Sequence, residues 1–172
     1  MSRKTEQAEP FQFFHWDESV DLVDAKIITM GECTPVQQDG MAKMYGPGAP
    51  RGDQTRVLFN IPGFSLLHVW FKKDYPLPLH SHDADCMYYI IAGSLQIGNK
   101  TLGPRDGFFI PSGVPYAYTP GPDGVELLEF RHNTHFDFQL HAKGEAFWKR
   151  ALETMAANGA EWDKAKMPAL NA

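Results

Sequence analysis

An all-β barrel with one helix packed outside it is the fold class this sequence predicts, on three observations. Short runs rich in Val, Ile, Leu, Phe and Tyr alternate with Gly and Pro punctuation from Arg56 onward, at the spacing of a sandwich or barrel. Helical periodicity is clear only after the last of these runs, from Lys143 to Ala157. The chain has 172 residues, enough for one domain with a real core and too few for two of ordinary size.

Composition narrows the function classes. Hydrophobic residues make up 43% and charged residues 22%, near globular averages, which excludes a disordered chain. The formal net charge is −5 and the sequence pI about 5.8. Lysines and arginines are scattered, so the basic stripe of a nucleic-acid binder is missing. No apolar run is long enough for a membrane helix. The opening stretch MSRKTEQAEPFQFFHW lacks the apolar core of a secretory leader, so a cytoplasmic protein without a membrane partner is expected. Cys33 and Cys86 fit no CxxC pattern, and a structural disulfide is not expected between them.

Residues 1–56 read as an N-terminal arm followed by an irregular loop and edge strands. Aromatics at Phe11, Phe13, Phe14 and Trp16 mark an arm docked on the barrel through about Asp24. The Gly- and Pro-bearing stretch from Thr34 to Thr55, with GPGAPRGD inside it, predicts a long loop, and its RGD is turn chemistry.

Residues 57–132 form the predicted barrel. Its strands are expected at Val57–Ile61, Ser65–Phe71, Cys86–Ala92, Ser94–Ile97, Phe108–Ile110, Pro115–Tyr118 and Val125–His132. Gly98-Asn99 is a tight hairpin able to take positive φ. In Ser65–Phe71, Leu67, Val69 and Phe71 share one face, and Leu66, His68 and Trp70 the other. Both faces are largely apolar, so this strand is expected to be covered on both sides, by the arm or by the partner subunit of a homodimer. Residues 133–172 extend the barrel with one helix, carrying Phe147, Ala151 and Met155 at four-residue spacing and stopped at Asn158-Gly159.

The segment that carries chemistry is PLPLHSHDADCMYYIIAGS, from Pro76 to Ser94. Alternate residues of a strand share a face, so His80 and His82 project together and form a half-site for a divalent transition metal. Cys86 shares their parity, whereas Asp83 and Asp85 do not.

The spacing resembles the first motif of the cupin superfamily, G-x5-H-x-H-x3-E-x6-G, with His80, His82, Cys86 at the glutamate position, and Gly93. DGFFIPSGVPYAY resembles the second motif, G-x5-P-x-G-x2-H-x3-N, with Pro111, Gly113 and Tyr116 at the histidine position. Arg105 and Pro120 stand at its first and last positions. The resemblance covers roughly residues 57–132 and implies a small single-domain cupin of the cupin 2 type, a jelly-roll or double-stranded β-helix barrel. Cupins hold one metal on two or three histidines and a glutamate, and two of those four positions are altered here.

Three readings of the altered site stay open. Either Cys86 thiolate or Tyr116 phenolate completes the shell around His80 and His82, which favours iron or zinc. Alternatively an acid or imidazole enters from elsewhere, from Asp83 or Asp85 through a bulge or from Glu126, His132 or His135 on a later segment. In the third reading no metal binds and the barrel mouth is a small-molecule pocket. Tyr88 and Tyr118 share faces with Cys86 and Tyr116 and are the candidates to bond a substrate oxygen. His68 and His141 read as packed or surface residues.

The resemblance implies a metal-dependent small-molecule oxidoreductase, dioxygenase-like, acting on a small aromatic or dicarbonyl compound. A non-catalytic cupin that senses or stores a small ligand or metal is the alternative. An isomerase or epimerase fits less well, because no clear acid and base pair is legible.

Overall fold

The computed structural model describes residues 11–171. The first ten residues of the expected arm lie outside this range. In chain order the elements are β1 (Val20–Asp21), α1 (Leu22–Ala25), β2 (Ile28–Met30), α2 (Pro35–Tyr45), β3 (Asp53–Ile61) and β4 (Phe64–Phe71). Then come β5 (His80–Ser81), β6 (Cys86–Ile97), β7 (Lys100–Leu102), β8 (Gly107–Ile110), β9 (Thr119–Arg131), β10 (Phe136–Leu140) and α3 (Glu145–Trp162).

A seven-stranded sheet runs β1-β3-β4-β9-β6-β7, with β8 also paired to β6. A separate three-stranded sheet runs β2-β10-β5, and its β2–β10 pairing is parallel. The body is mostly antiparallel β-sheet with a helix packed outside, the all-β fold class that the sequence predicts, although the sheets do not join into one closed ring. Long β6 and β9 form its spine, antiparallel, with Tyr88 opposite Glu129 and Ile90 opposite Leu127. Their inward rows, with Val69 and Phe71 of β4, build the main core. Met87, Tyr89 and Phe109 stand exposed on the outer face.

Motif glycines and turns have local causes. Gly93 holds φ +71°, and a Cβ there would stand 2.2 Å from the Gly124 carbonyl oxygen, so only glycine lets β6 and β9 approach so closely. The β6–β7 hairpin turns at Gly98, as expected, with φ +57°. Arg105 also holds a positive φ, 75°, a conformation uncommon outside glycine.

Several expectations need correction. The stretch from Thr34 is not all loop: Pro35–Tyr45 is helical, begun by a capping box in which Thr34 and Gln37 satisfy each other's backbone N–H, with Pro35 in the first turn. Gly40 sits within this helix because the ring of Trp148 lies against it. The α3 helix does not stop at Gly159 but continues to Trp162, because a small residue is needed against Pro50 and buried Trp162 donates its indole N–H to the Lys73 carbonyl at 2.9 Å. The expected strand Pro115–Tyr118 is a single bridge, His80 to Tyr116, while β9 begins earlier, at Thr119. Arm docking starts later than its aromatics imply, since Phe11 and Phe13 are 86% and 77% exposed. Strand β4 is buried on both faces from Ser65 to Phe71, and Trp16 supplies part of the outer cover, edge-on to His68 at 4.8 Å.

Gly40→Ala tests the helix–helix contact. Propensity alone favours alanine inside a helix by up to about 1 kcal/mol. Here the new Cβ would meet Trp148 at 2.1 Å, so the variant is expected to lose about 1–3 kcal/mol in chemical denaturation.

Candidate functional site

The two histidines sit where three segments meet. His80 exchanges backbone hydrogen bonds with Tyr116 (N–H to O at 3.1 and 2.9 Å), and the Gly113 N–H donates to the His82 carbonyl at 2.7 Å. The two motif segments are thereby tied to each other. Strand β10 closes over them: Leu140 pairs with His80, and Phe138 stacks on the His80 ring at 4.5 Å and 8°. Phe136 meets the His82 ring edge-on at 5.3 Å.

Each ring is oriented by a backbone carbonyl. His80 Nδ1 donates to the Pro78 oxygen at 2.7 Å, and His82 Nδ1 to the Asp137 oxygen at 2.5 Å. A carbonyl can only accept, so Nδ1 carries the proton and Nε2 keeps its lone pair in both rings. Burial and the neighbouring His82 lower the His80 pKa from 6.5 to about 3. Burial and Arg131 lower that of His82 to about 4. Both are neutral at physiological pH, with ring centroids 5.0 Å apart.

They line a cavity of about 80 Å³ together with Tyr116, Tyr118, Phe71, Phe138, Glu129 and Arg131. Glu129 and Arg131 are not among the sequence candidates, which on the later segment are Glu126, His132 and His135. Glu126 lies on the opposite face of β9 and pairs instead with His68, Oε1 to Nε2 at 2.8 Å. The signal was available: Val125, Leu127, Glu129 and Arg131 share one parity, so an inward row of aliphatic residues ends in two charges. Glu129 Oε2 lies 2.7 Å from Arg131 Nη1. Burial disfavours the guanidinium charge, but Glu129 and the surrounding phenols and thiol outweigh this, and Arg131 stays charged. Its plane also lies against Phe136, 4.1 Å from the ring centre.

The remaining candidates are placed as follows. Cys86 is buried one row behind the cavity, its thiol weakly directed to the Met87 carbonyl, and burial with the nearby Glu129 pushes its pKa up to about 12. Tyr116 and Tyr88 share a hydrogen bond between their hydroxyls, and burial raises both pKa values. Tyr88 stacks on Phe108 at 4.4 Å behind Tyr116, whereas Tyr118 lines the cavity itself. Asp83 exchanges N–H to carboxylate bonds with Asp137, and Asp85 accepts from the Ser112 N–H. His135 and His141 are bonded to Thr29 and Ser81, and none of these five groups lines the cavity with the histidines.

A metal can be tested against this donor set. Two oriented, neutral imidazoles with free Nε2 atoms fit one half of a coordination shell. No group of three His, Cys, Asp or Glu residues is arranged to hold an ion among the described residues. What fits is a two-nitrogen half-site whose other positions fall to solvent or ligand. No helix among the described residues is long and apolar enough to cross a membrane.

No family model matches the chain, and no curated protein is similar to it. Among solved structures, KdgF from Halomonas sp. matches 48% of this chain and 82% of its own, at 19% identity and a TM-score of 0.43. An RmlC-like cupin from Shewanella frigidimarina matches 51% and 86%, at 21% identity and a TM-score of 0.43. The oxalate decarboxylase of Bacillus subtilis, a protein with Mn(II) centres, matches 49% of this chain but 26% of its own, at 20% identity and the same TM-score. Each likeness is one of fold and spans about half of this chain.

Two predictions follow from burial. Because the histidine pKa values are lower in the folded than in the unfolded chain, the unfolded chain binds more protons below about pH 6.5. Metal-free protein is therefore expected to keep its full stability above about pH 6.5 and to lose it as pH falls toward 4. Denaturation midpoints at pH 7 and pH 5 measure this, and His82→Gln should flatten the slope. In native protein, Cys86 should react with a thiol reagent at least roughly a hundredfold more slowly than half-exposed Cys33. Cys33→Ser should leave only the slow phase.

Proposed function

We propose that this chain is a small-molecule enzyme that takes one divalent transition metal, iron or zinc, on His80 and His82 and acts on a small carbonyl compound in the manner of a dioxygenase. The observation that supports the reading is the pair of neutral imidazoles, each with Nδ1 fixed to a carbonyl and Nε2 free beside one shared cavity. A metal bound there would supply Lewis acidity and open positions for substrate and dioxygen.

The chain's own residues do the rest. Tyr118 lines the cavity as the candidate to orient a substrate oxygen, and its raised pKa keeps its hydroxyl protonated as a donor. Phe71 and Phe138 line the cavity and exclude water. The cavity, about 80 Å³, is smaller than the roughly 150 Å³ that accommodates benzene, which favours a dicarbonyl over an aromatic substrate.

A non-catalytic ligand-binding role is the second reading. It is favoured by Tyr116, whose hydroxyl is engaged by Tyr88 where a cupin ordinarily has a metal-binding histidine. Metal analysis separates the two. Protein from iron- and zinc-supplemented medium should carry close to stoichiometric metal, and a His80→Ala, His82→Ala double variant should fall to background. A metal-free wild type that remains folded would overturn the enzyme reading.

A further inference from the structure

Strand parity turns Ser65 of β4 and Arg131 of β9, which are register partners, toward the interior. Arg131 is 2% exposed and Ser65 fully buried. Among the described residues the Ser65 hydroxyl and Arg131 Nε have no hydrogen-bond partner, and the Nη1 contact with Glu129 lacks hydrogen-bond alignment. Three buried polar atoms are thus left with unused capacity at one point, and the guanidinium lines the cavity. Orphan polar groups buried in this way are costly unless something binds them.

We infer that the ligand of this cavity is a small carboxylate, seated on the guanidinium of Arg131 at its unpartnered Nε. This rests on the cavity being a small-molecule site, not on a metal at His80 and His82. A guanidinium edge presents two parallel N–H donors that match the two oxygens of a carboxylate. Glu129 offsets the arginine charge through a single misaligned contact at Nη1 and leaves Nε without a partner. The flat aromatic walls, Phe71, Phe136 and Phe138, suit a planar group, and a cavity of about 80 Å³ limits it to roughly two to four carbons. A hydrogen-bonding oxygen beside the carboxylate, as in a 2-oxo acid, would also meet the Tyr118 hydroxyl.

Calorimetric titration of the full chain with acetate, pyruvate, phosphate and the neutral isostere acetamide tests this, on metal-loaded and chelator-treated protein. Pyruvate and acetate should bind, acetamide at least about tenfold more weakly, and phosphate more weakly than pyruvate. Arg131→Met should abolish carboxylate binding. Glu129→Gln, which removes the competing carboxylate and keeps its shape, should tighten pyruvate binding about tenfold, an arm that stands if Arg131→Met does not fold. Acetamide binding as well as acetate, phosphate outcompeting pyruvate, unchanged or weaker binding in Glu129→Gln, or no saturable carboxylate binding would each overturn the inference. Metal content of the same samples separates the two readings. Carboxylate binding by a protein that takes no metal sinks only the enzyme reading, and metal without carboxylate binding sinks only this one.

Discussion

Arg131 enters the barrel on the inward row of β9, and a guanidinium in that position must be offset or the interior cannot close around it. Glu129, two residues earlier on the same row, supplies the opposite charge at 2.7 Å, and the face of Phe136 supplies a second, weaker attraction. Removing either member of such a pair typically costs about 3–5 kcal/mol, because the other is left buried and unpaired. The surroundings follow from this. The field of Arg131 helps hold His82 neutral, that of Glu129 helps keep the Cys86 thiol protonated, and both act on the tyrosines around them. The interior is thus polar at one end and aliphatic at the other, where Val125, Leu127 and Ile90 fill it.

The cavity end is held by backbone rather than by loop side chains. The bridge between His80 and Tyr116 and the bond from Gly113 to His82 lock the two motif segments together, so neither can move without the other. Phe138 and Phe136, from a different sheet, pack on the two imidazoles. Rings fixed by stacking and by a carbonyl bond lose little freedom when they take up a ligand, which preserves affinity.

Period-two alternation made part of this legible beforehand. The two-sided burial of β4 and the Gly98 turn can be read from residue order, whereas the parity linking Cys86 to His80 and His82 is broken by the bend between β5 and β6, which lie in different sheets. The α2 helix was hidden because its signal is local and chemical, Thr34-Pro35 followed by Gln37, within a stretch whose glycines and prolines look like loop. Gly40 and Gly159 sit inside helices for reasons that lie far away in the chain, at Trp148 and Pro50, and no local pattern shows such contacts. Glu129 and Arg131 were readable by parity but were masked by alternating acids: Glu126 and Glu129 are three apart, hence on opposite faces, and only one faces the histidines. The engagement of Tyr116 by Tyr88 depends on β6 and the second motif meeting in the interior behind the cavity, a tertiary fact.

The carbonyls that orient the two imidazoles belong to different parts of the chain. Pro78, which holds His80, lies on the approach to the same strand, whereas Asp137, which holds His82, lies on β10. The tilt of the His82 ring therefore depends on where β10 lies beside it, whereas that of the His80 ring is set within its own segment. Since β10 also pairs in parallel with β2, the carbonyl that orients His82 is tied through β10 to the N-terminal segment, far from the histidines in sequence.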